Sequence, residues 1–375
     1  MPALLIAIVF FIVYGSLYPW EFRPPSTSAL HILLSSTQVP LNRFIFRDIV
    51  INLTVYMPLG AVGASVFRRF RLWFFWPVLL GAILSLLIEL AQAFTPSRDP
   101  SLLDLACDIV GSALGVIAAS LLDLTVRSRQ TIPSVYLKPQ RGAVATLVVW
   151  LAALTFPLFP VLGRTLLYEK ARIFYHAPLS WMTTVSFAAM WFAAGRVGLK
   201  AWPRAGRWWL FAAAFILILG QLFIMERQPL PDEMAGALIG AILFRFLGAR
   251  SGAAQWIAWL FPAVILLRGL APFHLSSLPQ DFSWVPFRAS LESEWQQGIG
   301  ILLEKAFWYF AAVWLVHDSG VRLRTAAMWI AQVLGAVEIV QVWLPGRTPE
   351  ITDPLLALTA GIVLWLLREP REQTV

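Results

Sequence analysis

Residues 72–104 read LWFFWPVLLGAILSLLIELAQAFTPSRDPSLLD, and the order of types in this stretch decides the fold. An apolar run long enough to cross a bilayer, about 20 residues, carries Glu89 and Gln92 near its end. The Pro-flanked turn Pro96-Ser97-Arg98-Asp99-Pro100 follows, and Asp104 opens the next apolar run. Glu89 and Gln92 are three apart and share a helix face. Glu89 lies about one and a half to two turns inside the run, a depth at which an ionisable group faces a bundle interior or a wet cavity. The stretch therefore reads as a transmembrane helical hairpin with a polar inner side.

The hairpin is written more than once. Glu338, Gln341, Pro345, Arg347, Pro349 and Asp353 repeat it near the carboxyl end. A middle copy keeps Gln221, Arg227, Pro229 and Glu233, with Ile218 at the Glu position and Met225 at the first Pro. In all three, Gln to Arg is six positions, Arg to Pro two, and Pro to acid four. Weaker echoes precede the second helix of each unit: Val39-Pro40-Leu41-Asn42, Ala177-Pro178-Leu179-Ser180 and Val285-Pro286-Phe287-Arg288. Small residues spaced by four follow each acid (Gly111 and Gly115, Gly236 and Gly240, Ala357 and Gly361). Such pairs let helices approach closely in lipid. The expected organisation is all-helical: three parallel four-helix units over residues 1–125, 142–248 and 254–368, rather than inverted repeats.

Composition agrees. The 375 residues are 59% hydrophobic and 13% charged, against roughly 45–50% and 25% in soluble domains. That balance excludes a disordered tail, a disulfide-stapled secreted module and an ordinary soluble enzyme. The single Cys107 excludes an internal disulfide or a zinc ribbon. The formal charge of +8 resides in short basic stretches between apolar runs, a pattern that orients helices in a membrane and does not point to nucleic acid. Twelve runs have the expected character, with cores near 3–20, 47–67, 72–94, 103–124, 142–162, 179–197, 208–225, 231–248, 254–270, 299–317, 324–344 and 352–367. No basic residue precedes the first run and no cleavage site follows it, so it reads as a retained span. Seventeen basic residues fall on the side of the termini and eleven on the other, with Lys305 inside a span. The positive-inside rule then places both termini in the cytoplasm of a bacterial inner membrane. Many of the 18 Trp, such as Trp20, Trp202, Trp208, Trp209 and Trp343, lie near span ends, as interfacial anchors do.

The run Arg47-Asp48, Asn52, Tyr56-Met57-Pro58-Leu59-Gly60, followed by Glu89, Gln92, Pro96, Arg98, Asp104, Asp108 and Gly111, resembles the VanZ-like family of small bacterial membrane proteins. The resemblance covers the first unit, and the third from Val285 onward. There Glu304-Lys305 and Phe310-Ala311-Ala312-Val313 replace the Asn and Pro-Leu-Gly element. It implies a place among cell-envelope or polysaccharide functions. The founding member is associated with teicoplanin resistance.

Three chemistries fit the repeated residues. In a structural clamp, Arg98 pairs with Glu89 or Asp104 or bonds helix-end carbonyls, while Ser101 and Asp104 form a capping box. In a ligand site, Arg98 and Arg347 hold a phosphate or carboxylate and the Glu and Gln residues hold sugar or amide groups. The partner would then be an anionic or glycosylated lipid-linked intermediate in the bilayer. In a membrane-embedded enzyme, Glu89 with Asp104, or Glu338 with Asp353, would form an acid/base pair. No nucleophile with an adjacent base and no Gly-rich phosphate loop accompanies them, so the reading leans away from catalysis. Asp48 and Asn52, four apart, are placed to reach the hairpin of their own unit. Glu304 and Lys305 are placed to neutralise each other or the neighbouring hairpin, although adjacent residues point to different faces. His31, His176 and His274 lie in corresponding loops without metal-ligand spacing, and no cofactor is expected.

Overall fold

The computed structural model describes residues 2–25, 27–36, 43–128, 140–157, 163–202, 208–224, 227–228, 230–250, 252–293 and 295–368. The Val39-Pro40-Leu41-Asn42 echo, Met225, Pro229 and part of the basic tally (Arg129, Lys138, Arg204, Arg207 and Arg371) lie outside the described residues. Within them the chain forms fifteen helices and no strand. These are α1 (Pro2–Ser16), α2 (Ala29–Ser35), α3 (Arg43–Phe67), α4 (Phe75–Gln92), α5 (Leu102–Ser128), α6 (Arg141–Thr155), α7 (Arg164–His176), α8 (Trp181–Ala201), α9 (Trp209–Leu222), α10 (Pro231–Leu247), α11 (Ala253–Leu270), α12 (Arg288–Glu292), α13 (Trp295–Asp318), α14 (Leu323–Gln341) and α15 (Thr352–Leu366).

Each of the twelve apolar runs carries one helix. Six helical stretches are long and apolar enough to cross a membrane unaided, and α1, α6, α9 and α15 are shorter apolar helices. The three helices outside the twelve runs, α2, α7 and α12, each fall between the first and second long helix of an expected unit. Ser28 caps α2 and Ser180 caps α8, and Pro231 opens α10 where its missing N–H costs nothing.

The packing divides the chain into two compact units, Met1–Tyr136 and Leu137–Val375. In the first, α3 lies along α5. A Cβ on Gly60 would run into the Ser112 carbonyl, and one on Gly115 into the Met57 carbonyl, so only glycine allows these backbones to approach. In the second, Gly236 and Gly240 of α10 face the Thr184 and Ala188 carbonyls of α8 in the same manner, whereas Gly361 of α15 faces Ala327 of α14.

The second unit is built around Trp191, Phe244, Phe261 and Phe307. Trp150 meets Trp191 edge-on at 4.9 Å, and Phe261 stacks on Trp308 at the same separation. Ile6, Phe215, Ile216 and Trp259 are at least 66% exposed, while Glu89 and Glu338 are 4% and 2% exposed. Apolar outside and ionisable inside is the distribution lipid imposes. At the end of the second unit remote from the hairpins, Arg196 donates to Asp318 at 2.8 Å and to the Gly248 carbonyl at 2.9 Å. Lys200 approaches the same carboxylate at 3.6 Å.

Candidate functional site

The last four carbonyls of a helix have no partner within it, and the repeated glutamines answer that need. Gln92 donates to the Ser16 carbonyl (2.9 Å), Gln221 to Leu154 (3.2 Å) and Gln341 to Gly269 (2.9 Å). In each case the third long helix of an expected unit is tied to the end of the first. The arginines act on the same ends in two copies. Arg347 Nε donates to the Ala271 carbonyl at 2.8 Å and its Nη2 to Arg268 at 2.5 Å. Arg227 Nε donates to Phe156 at 3.0 Å and its Nη2 to the Ala153 carbonyl. In both, the acceptors lie one residue before and two residues after the glutamine's acceptor. Burial lowers both guanidinium pKa values from the ordinary arginine value. Arg98 departs from this. It sits in the same turn, its amide bonded to the Thr95 carbonyl, but its side chain is exposed and has no hydrogen-bond partner among the described residues.

The acids follow a register of their own. Glu89 Oε2 accepts the Ser101 amide at 2.7 Å, and Glu338 Oε2 accepts the Glu350 amide at 2.8 Å, twelve residues on in both cases. Each carboxylate thereby satisfies an orphan donor where the next helix begins. Half of the expected capping box is present, since the Ser101 hydroxyl accepts the Asp104 amide at 3.3 Å. The reciprocal acceptor is Glu89, on the preceding helix, and not Asp104. In the middle copy, where Ile218 replaces the Glu, the Glu233 carboxylate lies by the Leu230 backbone at the start of α10. Lys170 on α7 also enters there, buried, its Nζ donating to the Gln221, Leu222 and Ile224 carbonyls. Burial lowers its pKa.

The third hairpin opens onto a cavity of about 490 Å³ lined by Arg268, Glu304, Lys305, Glu338, Arg347 and Asp353 among others. Asp353 accepts from Lys305 Nζ at 2.6 Å and from the Tyr309 hydroxyl at 2.5 Å. Glu304 pairs with Arg268 at 2.6 Å, so Glu304 and Lys305 serve different partners. Arg268 also lies over the Trp308 ring, 4.5 Å from its centroid. Four predicted residues, Glu338, Gln341, Arg347 and Asp353, thus meet at one cavity. Arg268, Tyr309 and Glu350 join them without having been singled out from sequence.

The first hairpin has the same frame and different contents. The Asn52 side chain faces Asp104, with Asp48 close by. One turn deeper, Ser85 Oγ donates to Asp108 Oδ2 at 2.7 Å, and Tyr56 lies beside that pair. Register could have revealed the tyrosines: Tyr56 follows Asn52 by four residues as Tyr309 follows Lys305.

No curated protein and no solved structure matches the chain. A family model, VanZ/LLP1, matches residues 2–123, which span α1 to α4 and most of α5. By that match residues 2–123 are VanZ-like, and the chain's long apolar helices are those of a membrane protein.

Proposed function

We propose that this chain is a non-catalytic cell-envelope protein of the bacterial cytoplasmic membrane that binds, and helps to move, the polar head of an anionic or glycosylated lipid-linked intermediate. The observation that carries the reading is the cavity of the third hairpin, where two cationic side chains, Arg268 and Lys305, meet carboxylates. A clamp needs only closed pairs. Here the Arg268, Glu304 and Lys305 side chains keep 34%, 37% and 30% of their surface accessible although they are paired. Accessible guanidinium and ammonium groups suit a phosphate, and accessible carboxylates suit sugar hydroxyls. The clamp reading holds for the other cations: Arg227 and Arg347 are engaged by backbone carbonyls, so their work is to fix helix ends. The recurring hydrogen-bond register supports three parallel four-helix units. The basic tally supports cytoplasmic termini and hairpins on the outer face. The family likeness supports a link to polysaccharide or wall processes, glycopeptide resistance of the teicoplanin type included.

The test is binding of a polyprenyl monophosphate, compared with the uncharged polyprenol, to the full chain in nanodiscs. Replacing both partners of the accessible pair, Arg268→Gln with Glu304→Gln, leaves no orphaned charge and should preserve folding. It should weaken phosphate binding about tenfold, the effect of one lost charge-assisted contact. Equal affinity for phosphate and alcohol in the native chain would refute the reading.

A further inference from the structure

In the first unit, three helices bring polar residues to one axis in successive layers. Along α3, Asn52, Tyr56 and Gly60 follow at one-turn intervals. Along α5, Asp104, Asp108 and Ser112 do the same, and along α4, Glu89, Ser85 and Gly81 run in the opposite order. Contacts join the stripes. Asn52 faces Asp104, and Ser85 donates to Asp108. The Tyr56 hydroxyl faces Asp108 and Ser85 without closing a hydrogen bond of normal geometry to either. At the floor, a Cβ on Gly81 would strike the Ser112 hydroxyl. From Asn52 to Gly60 the column descends about 12 Å at 1.5 Å per residue.

Its lower part is polar and incompletely bonded. Asp108, Tyr56 and Ser112 are 5%, 3% and 0% exposed. Even so, Asp108 Oδ1, the Tyr56 hydroxyl and the Ser112 hydroxyl have no hydrogen-bond partner among the described residues. No described basic side chain faces them. The α1 helix has no charged residue, and His31 of α2 is exposed. The described titratable groups near Asp108 are Tyr56 of α3, Glu89 of α4, and Asp104 and Cys107 of α5, with Asp48 beyond Asp104. The third hairpin closes the same frame differently. Lys305 stands where Asn52 would be, and Leu334 and Ala357 stand where Ser85 and Asp108 would be, so its polar column is shallower and contains its own base.

We infer that the Asp108 layer of the first unit, formed with Tyr56, Ser85 and Ser112, binds one small monovalent cation that enters past Asp104 and Glu89. Oxygen donors with a single deep carboxylate suit a hard cation of unit charge. An intramembrane acid without a protein base marks an ion or proton path. Sodium and the proton share this chemistry, and two measurements separate them.

The full chain is purified in sodium-free nanodiscs. If the ion is sodium, sodium over choline raises the melting temperature by a few degrees and radioactive sodium binds at one ion per chain. If it is the proton, sodium has no effect and the infrared spectrum contains a protonated-carboxyl band that disappears in Asp108→Asn. Tyr56→Phe removes only an unbonded hydroxyl, should fold if Asp108→Asn does not, and should shift whichever signal is present. Neither a sodium effect nor a carboxyl band assignable to Asp108 would overturn the inference.

Discussion

The hairpins at 89–104 and 338–353 hold the same skeleton and opposite charge arrangements. In both, a Gln ties the helix to the carbonyl end of an earlier helix, α1 or α11, and a Glu takes the amide twelve residues ahead. They differ at the neighbouring helix, which offers Asn52 in one and Lys305 in the other. With a lysine present, Asp353 is neutralised within the protein and the surrounding charges line an accessible cavity. With asparagine, the carboxylates of the first hairpin answer only to hydroxyl, amide and backbone donors among the described residues. Lysine for asparagine, together with Leu334 and Ala357 for Ser85 and Asp108, separates a charge-balanced pocket from an acidic column, while the bonds that build the hairpin stay the same.

The largest effect is expected where that balance is removed. Lys305→Ala leaves Asp353 facing Tyr309 and the nearby Glu338 without a cation. Breaking one side of a buried pair costs about 3–5 kcal/mol, and partial exposure of Lys305 reduces this to about 2–3 kcal/mol. Thermal melting of the purified chain measures it. Adding Asp353→Asn should restore most of the loss, since the stranded charge is then removed as well. Without such recovery, the ion pair is not what holds this region.

Next in size is a contrast between arginines that sequence spacing makes equivalent. Arg347→Ala deprives two helix-end carbonyls of a charged donor and should cost about 2 kcal/mol. Arg98→Ala removes an exposed side chain and should stay within about 0.5 kcal/mol. A loss at Arg98 equal to that at Arg347 would mean that the first hairpin is clamped like the third.

What the sequence made legible follows from the range of each interaction. Twelve helices were readable because apolar length is a local property, and the Gln, Arg and acid spacing was readable because it falls within one hairpin. The partners were not. Gln341 reaches a carbonyl 72 residues away and Arg347 one 76 away, distances over which spacing carries no information. Lys170 lies outside every repeated pattern, yet it caps the end of α9 that the degraded middle copy leaves open. Asp108 was visible only as part of a family likeness. Its depth became meaningful once Ser85 and Tyr56, from two other helices, were found beside it. The short helices α2, α7 and α12 escaped because they are too short or too polar to register as spans.

A gain smaller than the loss at Arg347 sharpens the comparison most, because it converts one hairpin towards the other. Asn52→Lys places an ammonium where Lys305 stands beside the third hairpin, four residues before the corresponding tyrosine. Asp104 occupies the place of Asp353, so the new lysine should pair with it. The gain is modest, about 1 kcal/mol, since the contact of the Asn52 amide with Asp104 is given up and the new charge must be desolvated. The same change should abolish the response of the first unit to sodium or to proton binding at Asp108, because a tethered cation then sits at the entrance to the column. Stabilisation together with loss of that response would mean that the identity of one side chain decides which hairpin holds its own counter-ion. Stabilisation with the response intact would place the cation's entry elsewhere than past Asp104, while a destabilised variant would show that Asn52 is needed as an amide and not merely as a neutral residue.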